Sequence, residues 1–546
     1  MSSFYSLNLL SALCLLALSA CGTNSQPKSS AIGFTDFEKL EAAAAPDLAA
    51  DPNCTTKANP ALSGKSCLKI RQEFRYVVYV GKQIYCYWDE KKSDTGTDFD
   101  KLALALESKI TDQITYSEYF ADILTPWAAA FHDGHVNPML GEDRSQLEVL
   151  HSNVRLRLLA SGTDHEKLIV QLSKNPRFPV GSVILKVNGV EVSDLITARE
   201  KVTSGSTRRM RRFGAGMRLF DSVGLGHALE PFEIEFQQPG NGPRKVVSIA
   251  RKLEVTLPSQ KAAPETEADK TGEANVLAEI LPGKIGYLKV DRFIGTKLPE
   301  IFDAKMNELR QAAGLILDVR ENGGGDPSGN HILRWLTKTK IARYFISPRR
   351  ADFLLAGRPE FFAMGVDPTD DRFTEWSPVE IEPTSPAEGT FAGKPIVVLT
   401  SNYCFSACDT FVSALKANHL ATVVGEATGG GTGTPEVFDL PVTGLKFRYA
   451  VVRGQTAQRV AIEGAGTTPD IVAEYSESDI GKESIADSQT EKAMAFVAST
   501  LQQPSPPTPV PTIESENSVS QSLRPDLSAT TEELIKLEVL GQAHED

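Results

Sequence analysis

A chain of 546 residues, 41% hydrophobic and 23% charged with 41 glycines and 32 prolines, has room for three or four domains. That composition excludes wholesale disorder and collagen-like repetition. The net charge of −13, from 57 basic and 70 acidic side chains, argues against a nucleic-acid partner, which would want a basic surface. Eight acidic and two basic residues fall in the last 45, so the acidity describes a tail more than a substrate-binding body.

In chain order, LNLLSALCLLALSACG (7–22) is an apolar stretch of signal-peptide length that ends in small residues. No later run reaches the roughly 18–20 apolar residues that span a bilayer. The close of the stretch, Leu18-Ser19-Ala20-Cys21, resembles the lipobox of bacterial lipoproteins, although no Lys or Arg precedes it. That resemblance implies a signal peptide at 1–20 and lipidation of Cys21. The protein would then be anchored in the bacterial cell envelope. Gly22 in the next position resembles outer-membrane sorting, with the chain facing the periplasm or the cell surface. Residues 21–50, rich in Ser, Ala and Pro, read as a tether.

Five further cysteines follow, at 54, 67, 86, 404 and 408, and in an oxidising compartment disulfides are the default. Cys54 and Cys67 bracket a turn-rich segment and are expected to pair. Cys404 and Cys408 read as small buried residues, the alternative being a very short disulfide loop. No cysteine pair has zinc-site spacing with histidine, so a metal site has no support.

Aromatic-rich alternation over 68–92 predicts one or two strands. Helical spacing over 98–131 completes an N-terminal α+β domain at 51–150. PVGSVILKVNGVEVSDL (179–195) predicts a strand, an Asn-Gly turn and a second strand within a domain at 151–257. Polar residues 258–280 form a linker. From 281 to 501, buried strands (GLILDVR, PIVVLTS, TVVGEA) alternate with amphipathic helices, the signature of an α/β layer structure. A Pro-rich acidic tail, 502–546, reads as disordered.

Three motifs carry chemistry. In SNYCFSACD (401–409) a buried strand ends and Ser406 opens a helix. Its hydroxyl would face unsatisfied N–H groups at the positive end of the helix dipole. Ser406 there is either an N-cap or a nucleophile. DVRENGGGD (318–326) is a Gly-rich turn without the Gly-Lys-Ser/Thr ending of a P-loop. FHDGHV (131–136) places two histidines after a helical segment. STRRMRRF (206–213) carries four arginines and reads as a solvated loop, or else as a basic face for a carboxylate or an acidic neighbour.

The order of FHDGHV, GSVILKVNGVEV, LILDVRENGGG, FSACD and GEATGGG, closed by DSQTEKAMAF, resembles the C-terminal-processing (tail-specific) serine protease family over residues 98–500. The resemblance implies an α/β fold: a ClpP/crotonase-like catalytic core, a PDZ-like domain at 151–257 and an N-terminal helical domain. It implies an endopeptidase acting on extended polypeptide through an acyl-enzyme on Ser406, with no cofactor. The Ser–Lys branch of that family carries its lysine where this chain has Gly431. The tricorn-like branch uses His and Glu, which His135 and Glu463 match. It often has Ser before that histidine, where this chain has Gly134.

The implied roles are Ser406 as nucleophile, His135 as base and Glu463 as the carboxylate that orients it. Ala407 with Gly324, or its neighbour Gly325, would supply oxyanion N–H groups. His132 and His331 are alternative bases, and Lys416 and Lys446 the lysines nearest in sequence. A lightly perturbed imidazole base implies an activity limb near pH 6–7. The rival reading is a catalytically silent peptide- or ligand-binding protein on the same fold.

Overall fold

The computed structural model describes residues 52–502, apart from 63, 142–147, 152–153, 221, 224–230, 250–251, 256–266, 352–353, 355–357 and 386. The leader, the tether with Cys21, part of the expected linker and the tail beyond 502 lie outside the described residues.

The chain opens with helices α1 (Cys67–Ile84), α2 (Trp88–Thr95) and α3 (Phe99–Glu107). A π-helical turn at Tyr119–Leu124 then leads into α4 (Thr125–Ala129). The strand expectation over 68–92 is therefore corrected to helix. Ile70, Phe74, Val77, Gly81 and Ile84 recur at helical spacing and are buried, and Ser66 caps the first turn by accepting from Lys69 N. The β-favouring aromatics are overridden because packing covers them on several sides of the helix. A disulfide joins Cys67, at the start of α1, to Cys54.

This N-terminal segment has no core of its own. Phe74, Trp127 and Phe131 share one apolar cluster with Tyr344, Phe438, Phe447, Tyr449 and Ile462 from the second half of the chain. The boundary expected at 150 thus separates residues that bury each other. Strand β1 (Asn137–Met139), just after the His motif, pairs antiparallel with residues 446–448.

A second layer is built from β2 (Val154–Leu159), β3 (Lys167–Ser173), β4 (Val183–Val187), α5 (Val192–Glu200), α6 (Arg208–Met217), β5 (Phe232–Gln237) and β6 (Arg244–Ile249). Its antiparallel sheet has the order β6-β5-β4-β3-β2. Asn188 and Gly189, both at positive φ, make the expected Asn-Gly turn. The arginine-rich stretch is helix α6, not a solvated loop. Arg212 is buried between Glu166 and Glu200, and Arg211 donates to the Gly205 carbonyl. Ser204 and Ser206, in the α5–α6 turn, reach across to the His motif: Ser204 Oγ donates to Val136 O (3.0 Å).

The third layer is a six-stranded sheet flanked by helices. In chain order this part of the chain, which also carries strands of two three-stranded sheets, comprises β7 (Val276–Leu281), β8 (Ile285–Val290), α7 (Leu298–Leu309), β9 (Gly314–Asp318), α8 (Gly329–Leu336), β10 (Ile341–Pro348), β11 (Ser377–Ile381), β12 (Ile396–Thr400), α9 (Ala407–Ala417) and β13 (Thr422–Gly425). It continues through β14 (Pro435–Asp439), β15 (Lys446–Ala450), β16 (Val452–Thr456), β17 (Ile471–Val472) and α10 (Ser488–Gln502). The central order is β7-β8-β9-β12-β13-β17, parallel except for β7 against β8. Strands β9 and β12 are buried at every residue, as a parallel sheet covered on both faces requires. Their C-terminal ends carry the Gly-rich turn and the Ser406 turn side by side. Open α/β sheets place ligands at such an edge.

Candidate active site

Ser406 sits at the first turn of α9 with φ 60° and ψ −119°, a conformation that a residue with a side chain enters only under strain. Its hydroxyl makes no capping hydrogen bond, so the N-cap alternative is not what the structure shows. The backbone is held instead, with Ser406 N donating to Gly431 O (3.1 Å). The hydroxyl meets His135 Nε2 at 3.0 Å. Two residues 271 apart in sequence are thereby brought into hydrogen-bond contact.

Cys404 and Cys408, read from the sequence as small buried residues, are joined by a disulfide across this turn. Asp409, one residue on, is buried and accepts from Gly430 N (3.2 Å) and Gly431 N (2.9 Å), pinning the GEATGGG loop to α9. Burial raises its carboxyl to about 7 despite those bonds and one from Thr428.

His135 is fully buried, and burial pushes its imidazole down to about 4, opposed by Asp133 and aided by Arg448. At neutral pH the ring is uncharged, the form a base needs. Nδ1 has no hydrogen-bond partner; the nearest Asp133 oxygen lies 3.8 Å away. The turn holding the ring is braced from several sides. Asp133 accepts from His135 N (2.6 Å) and from Tyr85 OH (2.9 Å), and Gly134 N donates to Ser206 Oγ (3.1 Å). Arg448 and Asn137 both donate to Gly134 O.

Glu463, the expected orienting carboxylate, comes to this site but does not bond the imidazole. One ring nitrogen of His135, one oxygen of Asp133 and one of Glu463 all lie within 4.8 Å of one another. The Glu463 oxygens accept from Lys91 Nζ (2.8 Å) and Thr432 N (3.2 Å). Burial first, and then the neighbouring Asp133 charge, raise its carboxyl to about 8 against the pull of Lys91. Lys91 is itself buried and also donates to His132 O (2.8 Å), at a backbone turn where His132 has φ 47°. The three potential ligands are close enough for a metal ion. However, both Asp133 oxygens and both Glu463 oxygens already accept from the protein, and an ammonium sits among them.

The other expected residues separate into two groups. Gly324 packs against the nucleophile turn, but its N–H donates to Asn322 Oδ1 (2.8 Å), which removes it as an oxyanion donor. The amides of Ala407 and Gly325 carry no hydrogen bond among the described residues. His331 faces Asp303 (3.4 Å), Lys416 binds Thr468 O and Asp470, and Lys446 pairs with Asp439; none of them is part of this cluster. Sequence reasoning missed Lys91, Asp133, Ser206 and Phe405. Asp133 lay inside the His motif, where a carboxylate two residues from the base was a usable signal. Lys91 is 372 residues from Glu463, and nothing local marked it.

This parallel-sheet edge, with a serine on a strained strand-to-helix turn and a buried histidine against it, defines the protein as α/β with a serine-centred site. Residues 284–473, about a third of the chain, match the model of peptidase family S41. The carboxyl-terminal-processing protease of Synechocystis sp. is 29% identical over 198 residues, which cover 35% of this chain and 39% of the relative. The chloroplastic C-terminal processing peptidase of Tetradesmus obliquus is 27% identical over 267 residues, 47% and 49% of the two chains. The tricorn protease of Thermoplasma volcanium is 26% identical over 231 residues, 40% of this chain and 18% of that one. The chain thus spans at most about half the length of these curated relatives. Among solved structures, mature CPAF complexed with lactacystin shares the fold with TM-score 0.60 and 15% identity, over 80% of this chain and 98% of that one.

Proposed function

We propose that the protein is a serine endopeptidase that hydrolyses extended or unfolded polypeptides through an acyl-enzyme on Ser406. The observation that carries this reading is the 3.0 Å contact between Ser406 Oγ and His135 Nε2, made by a hydroxyl with no competing cap bond. His135 Nε2 takes the serine proton as Oγ attacks the scissile carbonyl. It then returns the proton to the leaving amine, and a water repeats the cycle to release the acyl group. The Ala407 and Gly325 amides, which carry no hydrogen bond among the described residues, are the donors available to the developing oxyanion. Asp133 and Glu463 lie behind the ring, where negative charge favours the imidazolium. As it forms, Nδ1–H needs an acceptor, and Asp133 Oδ1, 3.8 Å away, is the nearest carboxylate oxygen.

The sheet of 154–249 is proposed as a PDZ-like module that presents chain ends by strand addition. Cys21 is proposed as a lipidated anchor to the bacterial envelope; Cys21→Ser should release active protein from membranes that otherwise retain it through a carbonate wash. A fluorophosphonate tests the central reading. Labelling should map to Ser406, vanish in Ser406→Ala and slow strongly in His135→Ala. A folded protein that takes no label would leave the binding-protein reading.

A further inference from the structure

Three glycines close on one aromatic ring. A Cβ on Gly134 would lie 2.4 Å from Phe405 Cζ, one on Gly431 1.8 Å from Cε2, and one on Gly429 3.1 Å from Cδ2. None of the three has the positive φ that demands glycine. At 134 and 431 space demands it instead, because the ring occupies the volume a side chain would fill; at 429 the ring shares that role with the Asn402 carbonyl, 3.0 Å away. Phe405 is 7% exposed. Its N–H donates to Asn322 O (3.2 Å) and its carbonyl accepts from Cys408 N (3.1 Å), so its backbone is as fixed as its edge.

The face of this ring lies on the imidazole of His135, with centroids 4.6 Å apart and planes inclined by 30°. On the imidazole's other polar end, Nδ1 makes no hydrogen bond. A catalytic histidine is ordinarily oriented by a partner on that nitrogen. Here the flat contact with Phe405 limits its tilt and covers that face.

We propose that Phe405 is the positioning residue for His135: clamped by Gly134, Gly429 and Gly431, it holds Nε2 on Ser406 Oγ in place of a carboxylate hydrogen bond. The inference rests on the peptidase reading. It accounts together for two features of the sequence, the glycine before His135 and the glycine at 431. A serine at 134 or a lysine at 431 would need the space the ring fills.

The test begins with Phe405→Leu, which keeps apolar bulk and loses the flat face. kcat should fall about 10- to 100-fold, as for other displacements of a reacting group, with KM within about threefold. The acid limb of kcat/KM should move up toward the ordinary histidine range as water reaches the ring. Phe405→Met gives the same reading should the leucine variant not fold. Gly431→Ala should impair wild-type protein but add no further loss to Phe405→Ala, a non-additivity expected only of groups that share space. In Ser406→Ala protein, the His135 ring protons should be shifted upfield by the phenyl face in NMR spectra, and Phe405→Leu should abolish that shift. Full kcat in Phe405→Leu, or a raised KM with kcat intact, would overturn the proposal. So would a loss of activity that leaves the His135 resonances and titration unmoved. Undiminished activity in Ser406→Ala would instead sink the peptidase reading, while the resonances would still decide whether the ring contact positions the imidazole.

Discussion

Two buried charged clusters in this molecule hold their protons in opposite ways. Arg320, beyond the end of β9, donates to Asp318 (2.9 Å), Asp487 (2.7 Å), Gln489 (2.7 Å), Ser484 O and Thr490. Asp318 in turn accepts from Tyr287 OH (2.7 Å). Burial alone would raise Asp318's pKa, but the Arg320 charge and these bonds hold it below the usual carboxylate range. Arg320 is pushed upward in the same way against its own desolvation. Behind His135 the balance is reversed. Burial outweighs the partners, keeping the imidazole uncharged down to about pH 4 and Glu463 protonated up to about pH 8. Arg320 holds Asp318 down and fastens α10 to the central sheet, although burial raises the Asp487 carboxyl beside it; the cluster behind His135 suppresses charges that the reaction can then create. Depth of burial does not separate them, since both are almost wholly enclosed. The cation does: the Arg320 charge holds Asp318 down against its burial, whereas Lys91 does not offset the burial of Glu463 and the charge of Asp133.

The largest effect expected from breaking the contrast lies on the His135 side. Ser406→Ala and His135→Ala should each lower kcat/KM by about three or more orders of magnitude while the fold survives. Because the pair acts as a unit, the double variant should be little worse than either single. Additive losses in steady-state kinetics would show that the two side chains do not share a step.

On the Arg320 side, Arg320→Met should leave Asp318 and Asp487 buried without their cation, at a cost of about 3–5 kcal/mol. The melting temperature should drop by something on the order of 10 °C. The sign follows from Asp318, whose folded pKa is depressed. Its ionised form stabilises the fold above its unfolded value of 3.8, and that contribution fades as pH falls below it. The gap between wild type and variant should therefore narrow in acid. A variant that melts like wild type at pH 7 would mean the network only decorates the sheet.

What the sequence shows of this arrangement, and what it hides, follows from how far each constraint reaches along the chain. Strands β9 and β12 are legible because burial on both faces writes a continuous apolar run. Ser406 and His135 are legible because their chemistry sits in short motifs whose order the family resemblance supplies. Helix α1 is misread because its β-favouring aromatics, covered by strands hundreds of residues away, mask the helical spacing of Ile70, Phe74, Val77 and Ile84. Gly324 looks interchangeable with Gly325 in ENGGGD. Only the bond from its amide to Asn322 Oδ1 tells them apart. Lys91 and Phe405 are invisible for the same reason: each matters through a pocket wall assembled from distant segments.

The acid limb of activity sharpens the comparison further. A surface-like imidazole would give the limb near pH 6–7 that the sequence suggests, whereas burial lowers His135 to about 4. The base loses its proton as pH rises through that value, so kcat/KM should already be near its plateau at pH 6. A pH–rate profile between about 3.5 and 7 measures this directly. A limb at 6–7 would show that the imidazole meets water or a closer carboxylate in the working enzyme.

The smallest effect concerns Glu463, whose bonds run to Lys91 and Thr432 rather than to the imidazole. Its carboxyl is raised to about 8, so at neutral pH it is mostly protonated and adds no charge beside the ring. As pH rises through 8 the proton leaves, and a negative charge appears within 4.8 Å of the His135–Asp133 pair. That charge favours the imidazolium formed in the transition state, so kcat should step upward by a few-fold across this range. Glu463→Gln keeps an acceptor for Lys91 and removes the titration, so its profile should be flat from about pH 6 to 9. Below pH 7 the variant should stay within about threefold of wild type, because an uncharged amide replaces an uncharged acid. If the variant instead lost activity by orders of magnitude at pH 6, Glu463 would be acting as an ionised partner of the histidine. The two carboxylates behind the ring would then have exchanged roles, with Asp133 bracing the turn and Glu463 carrying the charge.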